Sequence, residues 1–408
     1  MTVDHARPDE GWDQTPIEQP DFSLVLGGPL YQLLLRAAMI QPSMNLLRRR
    51  ILAAIVITWL PLAVLTALGG GLLTGVSVPF VYDLDVHVRF LLALPLLIAA
   101  EVIVHRRLRA VVEQFEERNL VAPADRRSFD AIVSATMRLR NSVAIELSLL
   151  VLSFTLGYWL WRSQASLHVA TWYGAGTNEG LSFTWAGYWY VFVSIPIFRF
   201  IILRWYFRLF IWYLFLIRVS RLRLHLNPLH PDRAGGLGFL SLSVDAIAPV
   251  LIAQTVFLSG LIANQIWHDG ATLPQFKFLI GSIVGFLMLI ALLPMGFFAF
   301  HMAQAKRAML REYGLLAAHY TSDFREKWLR TPLHAPVAHR EELLGSGDFQ
   351  SLADLGNSYA VVGEMGTLPF GRNLVVRLLV LLALPLAPLA LTMFPFEVLL
   401  QQLIKLVL

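Results

Sequence analysis

The stretch GYWYVFVSIPIFRFIILRWYFRLFIWYLFLIRV, residues 187–219, lies in the longest apolar run of the chain and decides its fold class. About 20 apolar residues in an α-helix cross the hydrocarbon layer of a bilayer. The whole apolar run covers roughly 185–217. It is too long for one helix perpendicular to the membrane and too short for two helices with a loop between them. We therefore expect one tilted helix that continues beyond the membrane.

Six further apolar runs of sufficient length lie around this stretch, at roughly 51–74, 87–104, 142–161, 243–267, 278–301 and 373–394. The 408-residue chain is 56% hydrophobic and 15% charged, with a mean hydropathy of +0.60. This composition leaves too little polar surface to coat a soluble globule and suits a body solvated by lipid. The sequence predicts an all-α, polytopic transmembrane helical bundle of about seven spans, with the lipid bilayer as its partner.

Arginine is distributed unevenly between the two sides that these spans define. It is concentrated at 48–50, 105–140, 218–223 and 302–372, and is scarce at 75–86, 162–184 and 268–276. Because basic loops stay in the cytoplasm, the arginine-rich stretches are predicted to be cytoplasmic, with the N-terminus inside. The net charge of +5 is then assigned to anionic headgroups, and no nucleic-acid binding is expected. The expected markers are Arg49, Arg126, Arg221 and Arg325 for the cytoplasm, and Asp83, Trp172 and Asp269 for the other side.

The topology divides the chain into four segments: 1–45 as a cytoplasmic tail and interfacial helix, 46–301 as a bundle of six spans with cytoplasmic loops at 105–141 and 218–242, 302–372 as a cytoplasmic segment, and 373–408 as the last span and C-terminal tail. The N-terminal tract lacks the basic and apolar regions of a cleavable signal peptide, so we expect a disordered tail before an interfacial helix near 27–36. Three spans are expected to continue as basic cytoplasmic helices, HRRLRAVVEQFEERN, LIRVSRLRLHL and HMAQAKRAMLREYG. For 395–408 an external, an interfacial and a re-entrant position stay open.

Proline recurs within the predicted spans, at Pro61, Pro95, Pro196, Pro249, Pro294, Pro385 and Pro388. Each proline removes a backbone donor and crowds the preceding turn, so a neighbouring helix or water must satisfy one carbonyl. Taken singly, such prolines are ordinary in membrane helices. Taken together, they favour hinges or broken helices around a pathway, as in transporters.

Six ionisable side chains fall within the apolar runs, all in the half predicted to face the cytoplasm: Glu101, Glu146, Arg199, Arg204, Asp245 and Arg377. We call these six residues the polar layer. An ionised group at the centre of a bilayer costs several kcal/mol, so such groups are usually paired or functional. The layer can consist of ion pairs that fix helix packing, or form a cytoplasmic gate or an ion or anion site. Arg199 is the deepest; we expect it to pair with one of the three acids and to stabilise the fold more than Arg204.

The loop NPLHPDRAGGLGFL, residues 227–240, holds a candidate site at His230, Asp232 and Arg233. It lacks the Lys-Ser/Thr ending of a P-loop, the GxGxxG spacing of a dinucleotide site and the GxSxG of a hydrolase elbow. We expect an ordered loop whose glycines allow positive φ or close backbone approach, with Asp232 or Arg233 bonded to backbone or to another cytoplasmic segment. If the loop is functional, His230 and Asp232 are expected at the cytoplasmic mouth, beside the acids of the polar layer.

No catalytic, cofactor-binding or metal-binding constellation is recognised in the sequence. The absence of cysteine removes disulfides, thiolate metal sites and cysteine nucleophiles. His319 and Asp323 are spaced to share a helix face, but a solvated pair is the simpler interpretation. We therefore expect no enzymatic activity and no cofactor.

Two stretches, HPDRAGGLG (230–238) and SYAVVGEMGTLPFGRNLVVRLL (358–379), carry a family resemblance. The chain resembles an uncharacterised family of bacterial multi-pass integral membrane proteins. The resemblance implies a bacterial source, and with it the cell inner (plasma) membrane. It implies no activity and supplies no functional residues.

The leading functional hypothesis is a transporter or channel-like protein for a small ion or solute. The alternative is a non-transporting sensor or assembly partner that acts through its cytoplasmic segments, above all 302–372. The choice between channel and carrier, and homo-oligomer formation, stay open. A buried, water-reachable polar column between the spans favours transport, whereas a dry bundle with an exposed apolar cytoplasmic patch favours the alternative.

Overall fold

The computed structural model describes residues 22–28, 47–164, 171–177, 180–329 and 346–393. It is 80% helical with almost no strands, in agreement with the predicted all-α bundle. The helices in chain order are α1 (Leu47–Leu68), α2 (Leu84–Glu117), α3 (Arg126–Arg140), α4 (Val143–Gln164), α5 (Trp185–Val219), α6 (Gly238–Asp269), α7 (Leu273–Leu329), α8 (Gly347–Glu364) and α9 (Arg372–Met393). The expected interfacial helix lies largely outside the described residues, and the 395–408 segment lies wholly outside them.

Six of these helices are long and apolar enough to cross a membrane, namely α1, α2, α5, α6, α7 and α9. The described side chains of α4 form a shorter apolar stretch, Val143–Thr155, at the position of the third predicted span. The six long helices suggest a multi-pass membrane protein. The seven predicted spans correspond to these six helices together with α4.

Helix α6 lies at the centre of the bundle, where it packs against α2, α7 and α9. Of its most apolar stretch 56% is buried, compared with 17% for α1 and 22% for α9. Helix α1 packs on α2, while α3 and α4 pack on α5. Large apolar side chains are exposed along the outer helices, among them Leu68, Leu289 and Val380. Apolar surface of this extent is unfavourable in water and suits contact with lipid.

Helix α5 runs without a break from Trp185 to Val219, as predicted for a single long helix. Several prolines of the predicted spans lie where the winding departs from a regular α-helix. The π-helical turns are Val88–Ala93 before Pro95 and Tyr190–Ser194 before Pro196, and the 3-10 stretches are Leu293–Phe298 around Pro294 and Leu384–Met393 around Pro385 and Pro388. Altered winding re-satisfies carbonyls that a proline leaves without a donor. Pro249, by contrast, lies inside a regular α6.

The prediction that α5 continues as a basic helix through RLRLHL, residues 221–226, is wrong. The helix ends at Val219 and a turn follows. Leu224 then forms an antiparallel bridge with Val121, and His225 N donates to Leu120 O at 2.8 Å. The three leucines of this stretch pack on the core, while its arginines and histidine face outward. That alternation has the period of two that is typical of an extended strand. The other two extensions are helical, because α2 and α7 continue without a break.

The segment predicted at 302–372 forms a helical hairpin in its described part. Helix α8 runs antiparallel to the end of α7, because Tyr320 Oη donates to Asp348 O at 3.0 Å and Lys306 Nζ donates to Met365 O at 2.8 Å. The hairpin extends beyond the bundle at the end that carries the 227–240 loop. We call this end of the bundle the loop end.

The opposite end carries a small antiparallel hairpin that the sequence analysis did not predict. Its strands are β1 (Gly174–Thr177) and β2 (Gly180–Phe183). Trp172, just before β1, is buried, and its backbone N donates to Val78 O at 3.1 Å. We call the end of the bundle that carries the β1–β2 hairpin the hairpin end.

Candidate functional site

Five charged side chains meet where α1, α2, α4 and α5 converge. Glu101 of α2 accepts hydrogen bonds from Arg50, from Arg204 Nη1 at 3.3 Å and from Arg208 Nη1 at 2.8 Å. Arg204 Nε also forms an ion pair with Glu146 at 3.1 Å. Each of the five side chains is at most 13% exposed. We call these residues the arginine–glutamate cluster.

The local sequence explains how the cluster assembles. Arg204 and Arg208 are four residues apart, so they lie on one face of α5, with Arg208 stacked 4.8 Å from the ring centroid of Trp205. Arg50 is the last residue of the basic triplet at the start of α1. Burying these groups is tolerable only because each charge has an opposite partner. Three guanidinium groups face two carboxylates, so these five side chains carry a formal excess of one positive charge.

A cavity of about 430 Å³ opens from this cluster between the same four helices. The volume lies within the range of about 300–1,000 Å³ that is typical of ligand sites. Apart from three cluster arginines and Glu101, the lining is apolar, with the residues Ala53, Ala54, Ile57, Leu97, Ile98, Leu150, Phe154, Phe192, Val193, Pro196, Ile197, Phe200, Ile201 and Trp205. The cavity is therefore amphipathic, charged at one end and apolar along its length.

The N-terminal segment 22–28 covers the cluster on the side away from this cavity. Phe22 packs against the rings of Trp212 and Phe215, and Ser23 Oγ lies 2.8 Å from His105 Nδ1. Leu24 and Gly27 of the segment line a 20 Å³ cavity together with Glu146, Arg204 and Arg208. This role has no signal in the sequence, because the residues of the cluster that the segment covers are distant from it along the chain.

The structure does not pair Arg199 with an acid, so that expectation is wrong. Among the residues that the structure describes, Arg199 forms no ion pair, and Arg204 is the arginine bound to Glu146. Five residues of α-helix rotate the side chain by about 140° from the direction of Arg204. Arg199 is half-buried on another face of α5, away from the cluster.

The remaining two residues of the polar layer form a separate pair. Arg377 Nη2 of α9 lies 2.5 Å from Asp245 Oδ1 of α6, and Arg107 Nη1 donates to the Asp245 carbonyl at 2.9 Å. Neither Asp245 nor Arg377 lines the large cavity. The polar layer therefore divides into the cluster, this pair and Arg199, and is not one gate of six residues.

The 227–240 loop is ordered around Asp232. Its carboxylate accepts backbone hydrogen bonds from Ala234 at 2.8 Å, Gly236 at 3.1 Å and Gly238 at 2.9 Å. Partial burial alone raises the pKa of Asp232, but these three amides outweigh burial and hold its pKa below the ordinary value of 3.8. Gly235 and Gly236 adopt φ of +65° and +94°. The expected ordered loop with glycine-dependent geometry is confirmed.

The loop packs against the 358–379 stretch. Arg233 Nη2 forms an ion pair with Glu364 at 3.0 Å, and Gly366 N donates to Arg233 O at 2.8 Å. Asp232 and Arg233 line a groove of about 750 Å³ that also contains Leu368–Gly371, Leu374 and Arg377. His230 Nδ1 lies 2.9 Å from Asp232 Oδ1. The loop thus borders the Asp245–Arg377 pair. The functional expectation also placed His230 and Asp232 beside Glu101 and Glu146, and that part is wrong.

A second buried polar cluster, which the sequence analysis missed, lies at the hairpin end. Arg89 of α2 pairs with Asp85, donates to Tyr190 Oη at 3.2 Å and stacks 4.9 Å from the ring centroid of Phe257. Trp172 Nε1 donates to Asp83 Oδ2 at 2.8 Å in the same region. The four-residue spacing of Asp85 and Arg89 at the start of an apolar run was the available sequence signal. We call Asp83, Asp85, Arg89, Trp172 and Tyr190 the hairpin-end cluster.

Mostly apolar side chains separate the two clusters along α2 and α5. Arg89 and Glu101 are twelve residues apart on α2, which corresponds to about 18 Å. Phe90, Leu94 and Phe198 lie between these levels and are buried. The bundle therefore has a charged cluster towards each end, with buried apolar side chains between them.

The described side chains contain no group of three or more His, Cys, Asp or Glu residues that could hold a metal ion. In comparisons with known proteins, no family model matches the chain, no curated protein matches it, and no solved structure matches it.

Proposed function

We propose that the chain is a multi-pass protein of a bacterial inner membrane and acts as a transporter of the carrier type. The loop end lies in the cytoplasm in this proposal, because it holds the arginine-rich stretches. The observation that carries the proposal is the cavity of about 430 Å³ that ends at the arginine–glutamate cluster inside the bundle. Ligand sites of carriers lie between helices near the middle of the membrane.

Two further features support a carrier over a channel. The side chains buried between the two charged clusters are mostly apolar, which fits a binding site between helices better than an open pore lined by polar groups. The π-helical turns Val88–Ala93 and Tyr190–Ser194 lie near each other at the hairpin end. They belong to α2 and α5, the helices that hold three of the five residues of the arginine–glutamate cluster. Irregular turns of this kind are frequent at functional sites and at positions where helices bend.

Cysteine accessibility tests the proposal, because the chain has no native cysteine. Ala54→Cys places one thiol in the cavity, and membrane-impermeant thiol reagents can be applied to either side of sealed vesicles. We expect the thiol to react from both sides, because a carrier opens to each side in turn. Leu52→Cys, which lies on the same helix but outside the cavity lining, is expected not to react.

Arg126→Cys provides the positive control, because Arg126 is exposed at the loop end. If this thiol reacts and the thiol at position 54 reacts from neither side, the bundle is dry and the carrier proposal is wrong.

The alternative function, an assembly partner or sensor, is favoured by the surface of the α7–α8 hairpin. Leu315, Leu316 and Leu329 of α7 and Phe349 and Tyr359 of α8 are large apolar side chains between 43% and 72% exposed. Native mass spectrometry of the extracted protein tests whether this surface holds a partner. The alternative requires a component of fixed stoichiometry that Leu316→Glu releases and Gln350→Glu retains.

A further inference from the structure

We infer that the cavity binds an amphipathic anion, a molecule with one carboxylate or phosphate headgroup and a long hydrocarbon chain, which enters sideways from the lipid. The inference rests on the proposed carrier function and names its substrate class. Three features of the cavity carry it: the charge at its end, the chemistry of its wall and the position of its opening.

The charged end is suited to one anionic headgroup. The five side chains of the arginine–glutamate cluster have one positive charge in excess, which attracts an anionic headgroup. Arg50 and Arg208 each contact only Glu101 among the acids of the described residues. A guanidinium group carries more N–H donors than one such contact uses, and its planar fork matches carboxylate and phosphate oxygens.

The wall of the cavity offers small polar solutes no partners to bind. Beyond the cluster the lining consists of alanine, aliphatic, proline and aromatic side chains. A polar solute placed there loses its hydration without gaining hydrogen bonds, whereas a hydrocarbon chain gains by leaving water. From Arg208 to Phe192 the cavity follows sixteen residues of α5, about 24 Å. This length exceeds the thickness of one leaflet of hydrocarbon, about 15 Å.

The opening of the cavity faces the apolar girdle of the bundle. Ile57 of α1, Leu150 and Phe154 of α4 and Phe192 of α5 line the cavity and are also 41–57% exposed. These side chains belong to helices that are apolar on their outer faces. A ligand that arrives from lipid can therefore insert its chain between α1, α4 and α5 without crossing a polar surface.

Photo-crosslinking of the full chain in phosphatidylcholine nanodiscs tests the inference. The probes are oleate and lysophosphatidate, each with a diazirine in the hydrocarbon chain, and peptide mass mapping locates the products. We expect at least one probe to label the segments that contain Ala53, Leu150 and Ile197. The unlabelled anion is expected to compete at a concentration about ten-fold lower than oleyl alcohol, because only the anion contacts the arginines.

The two probes identify the source of the anion, since lysophosphatidate represents a lipid phosphate and oleate a free carboxylate. Equal competition by oleyl alcohol means that the cavity recognises a hydrocarbon chain alone, and this overturns the inference. Labelling spread evenly over the lipid-facing helices overturns it as well.

A matched pair of tryptophan variants separates site occupancy from folding. Ala53→Trp fills the cavity without removing an ion pair, whereas Leu52→Trp adds the same ring on an exposed face of α1. We expect Ala53→Trp to reduce labelling about ten-fold or more and Leu52→Trp to leave it unchanged, at equal melting temperature. Equal labelling in the two variants contradicts the inference.

Arg50→Gln addresses the headgroup, and Arg50→Lys keeps the charge. The first is expected to weaken competition by the anion about ten-fold, and the second to restore part of this loss. If no amphiphile binds but the thiol at position 54 is accessible, the proposed substrate class is wrong and the carrier function still stands. If the amphiphile binds but that thiol is inaccessible from both sides, the binding site stands and the carrier function is wrong.

Discussion

Arg204 and Arg199 lie on the same helix within the same apolar run, yet their surroundings differ. Arg204 contacts both glutamates of the cluster, whereas Arg199 has no ion pair among the described residues. Removing one partner of a buried ion pair costs about 3–5 kcal/mol, because the other charge is left buried. We predict that Arg204→Leu lowers the stability in nanodiscs by this order, and that Arg199→Leu lowers it less.

Thermal unfolding of the two variants measures this difference. The order is the reverse of the sequence-based expectation, which ranked Arg199 first because of its depth. Equal melting temperatures, or a larger loss for Arg199→Leu, contradict the assignment of Arg204 to the cluster.

Asp232 provides a prediction about pH. Its pKa in the folded protein lies below the ordinary value of 3.8, so the ionised carboxylate stabilises the folded loop. This stabilisation is present above the ordinary pKa and is lost as the pH falls through the lower pKa of the folded state. We predict that Asp232→Asn is less stable than the parent at pH 7, and that the difference shrinks below about pH 4. A difference that stays constant between pH 7 and pH 3 contradicts the role of the three amide donors.

At this scale the sequence indicates which residues are special but not which residues they contact. Glu101, Glu146 and Arg204 were placed in one layer, and they do meet. Their partners Arg50 and Arg208 were missed, because Arg50 was assigned to a basic loop and because rotation of α5 decides which arginines face the glutamates. The backbone geometry of the 227–240 loop was more accessible, since glycine and proline restrict φ locally.

Gly260 gives a prediction for the packing of elements. A Cβ atom at this position of α6 meets the Val88 Cβ of α2 at 2.7 Å, at the start of the first π-helical turn. We predict that Gly260→Ala forces α2 and α6 apart and lowers the unfolding free energy by about 1–3 kcal/mol. Gly281→Ala in α7 is the matched control, because nothing lies within 4 Å of a Cβ there. Within a helix, alanine is favoured over glycine by about 1 kcal/mol, so we expect no loss of stability for Gly281→Ala.

Denaturation of both variants in the same lipid decides the point. A loss of similar size at positions 260 and 281 shows that alanine is unfavourable for a reason other than contact with Val88.

Elements were predictable where one pattern dominates. Runs of about 20 apolar residues indicate helices without knowledge of the tertiary structure, and α2 and α7 follow this rule. The 221–226 stretch was assigned to helix because it follows a helix and is basic, although its alternation has a period of two. The β1–β2 hairpin lies in a stretch without a strong periodic pattern, and its position depends on contacts with the 75–86 loop.

At the scale of the whole molecule, the orientation can be tested with single cysteines. We predict that Arg126→Cys and Arg221→Cys react with an impermeant thiol reagent from one side of the membrane, and Asp269→Cys from the other. All three positions are exposed at the ends of the bundle. Asp83 and Trp172, the other two markers named for that side, are buried and therefore unsuitable. Modification of positions 126 and 269 from the same side contradicts the proposed topology.

The protein is proposed to be a carrier whose ligand cavity lies between α1, α2, α4 and α5, so the distance between α1 and α4 should change as it opens to each side. Two spin labels test this most directly, attached to Leu52→Cys of α1 and Leu147→Cys of α4 in the detergent-extracted protein, because both positions are exposed and the chain has no cysteine. Electron–electron distance measurements in nanodiscs are predicted to show two populations whose ratio changes when ligand is added. A single narrow distance, unchanged by oleate and by lysophosphatidate, contradicts a carrier with this cavity as its binding site.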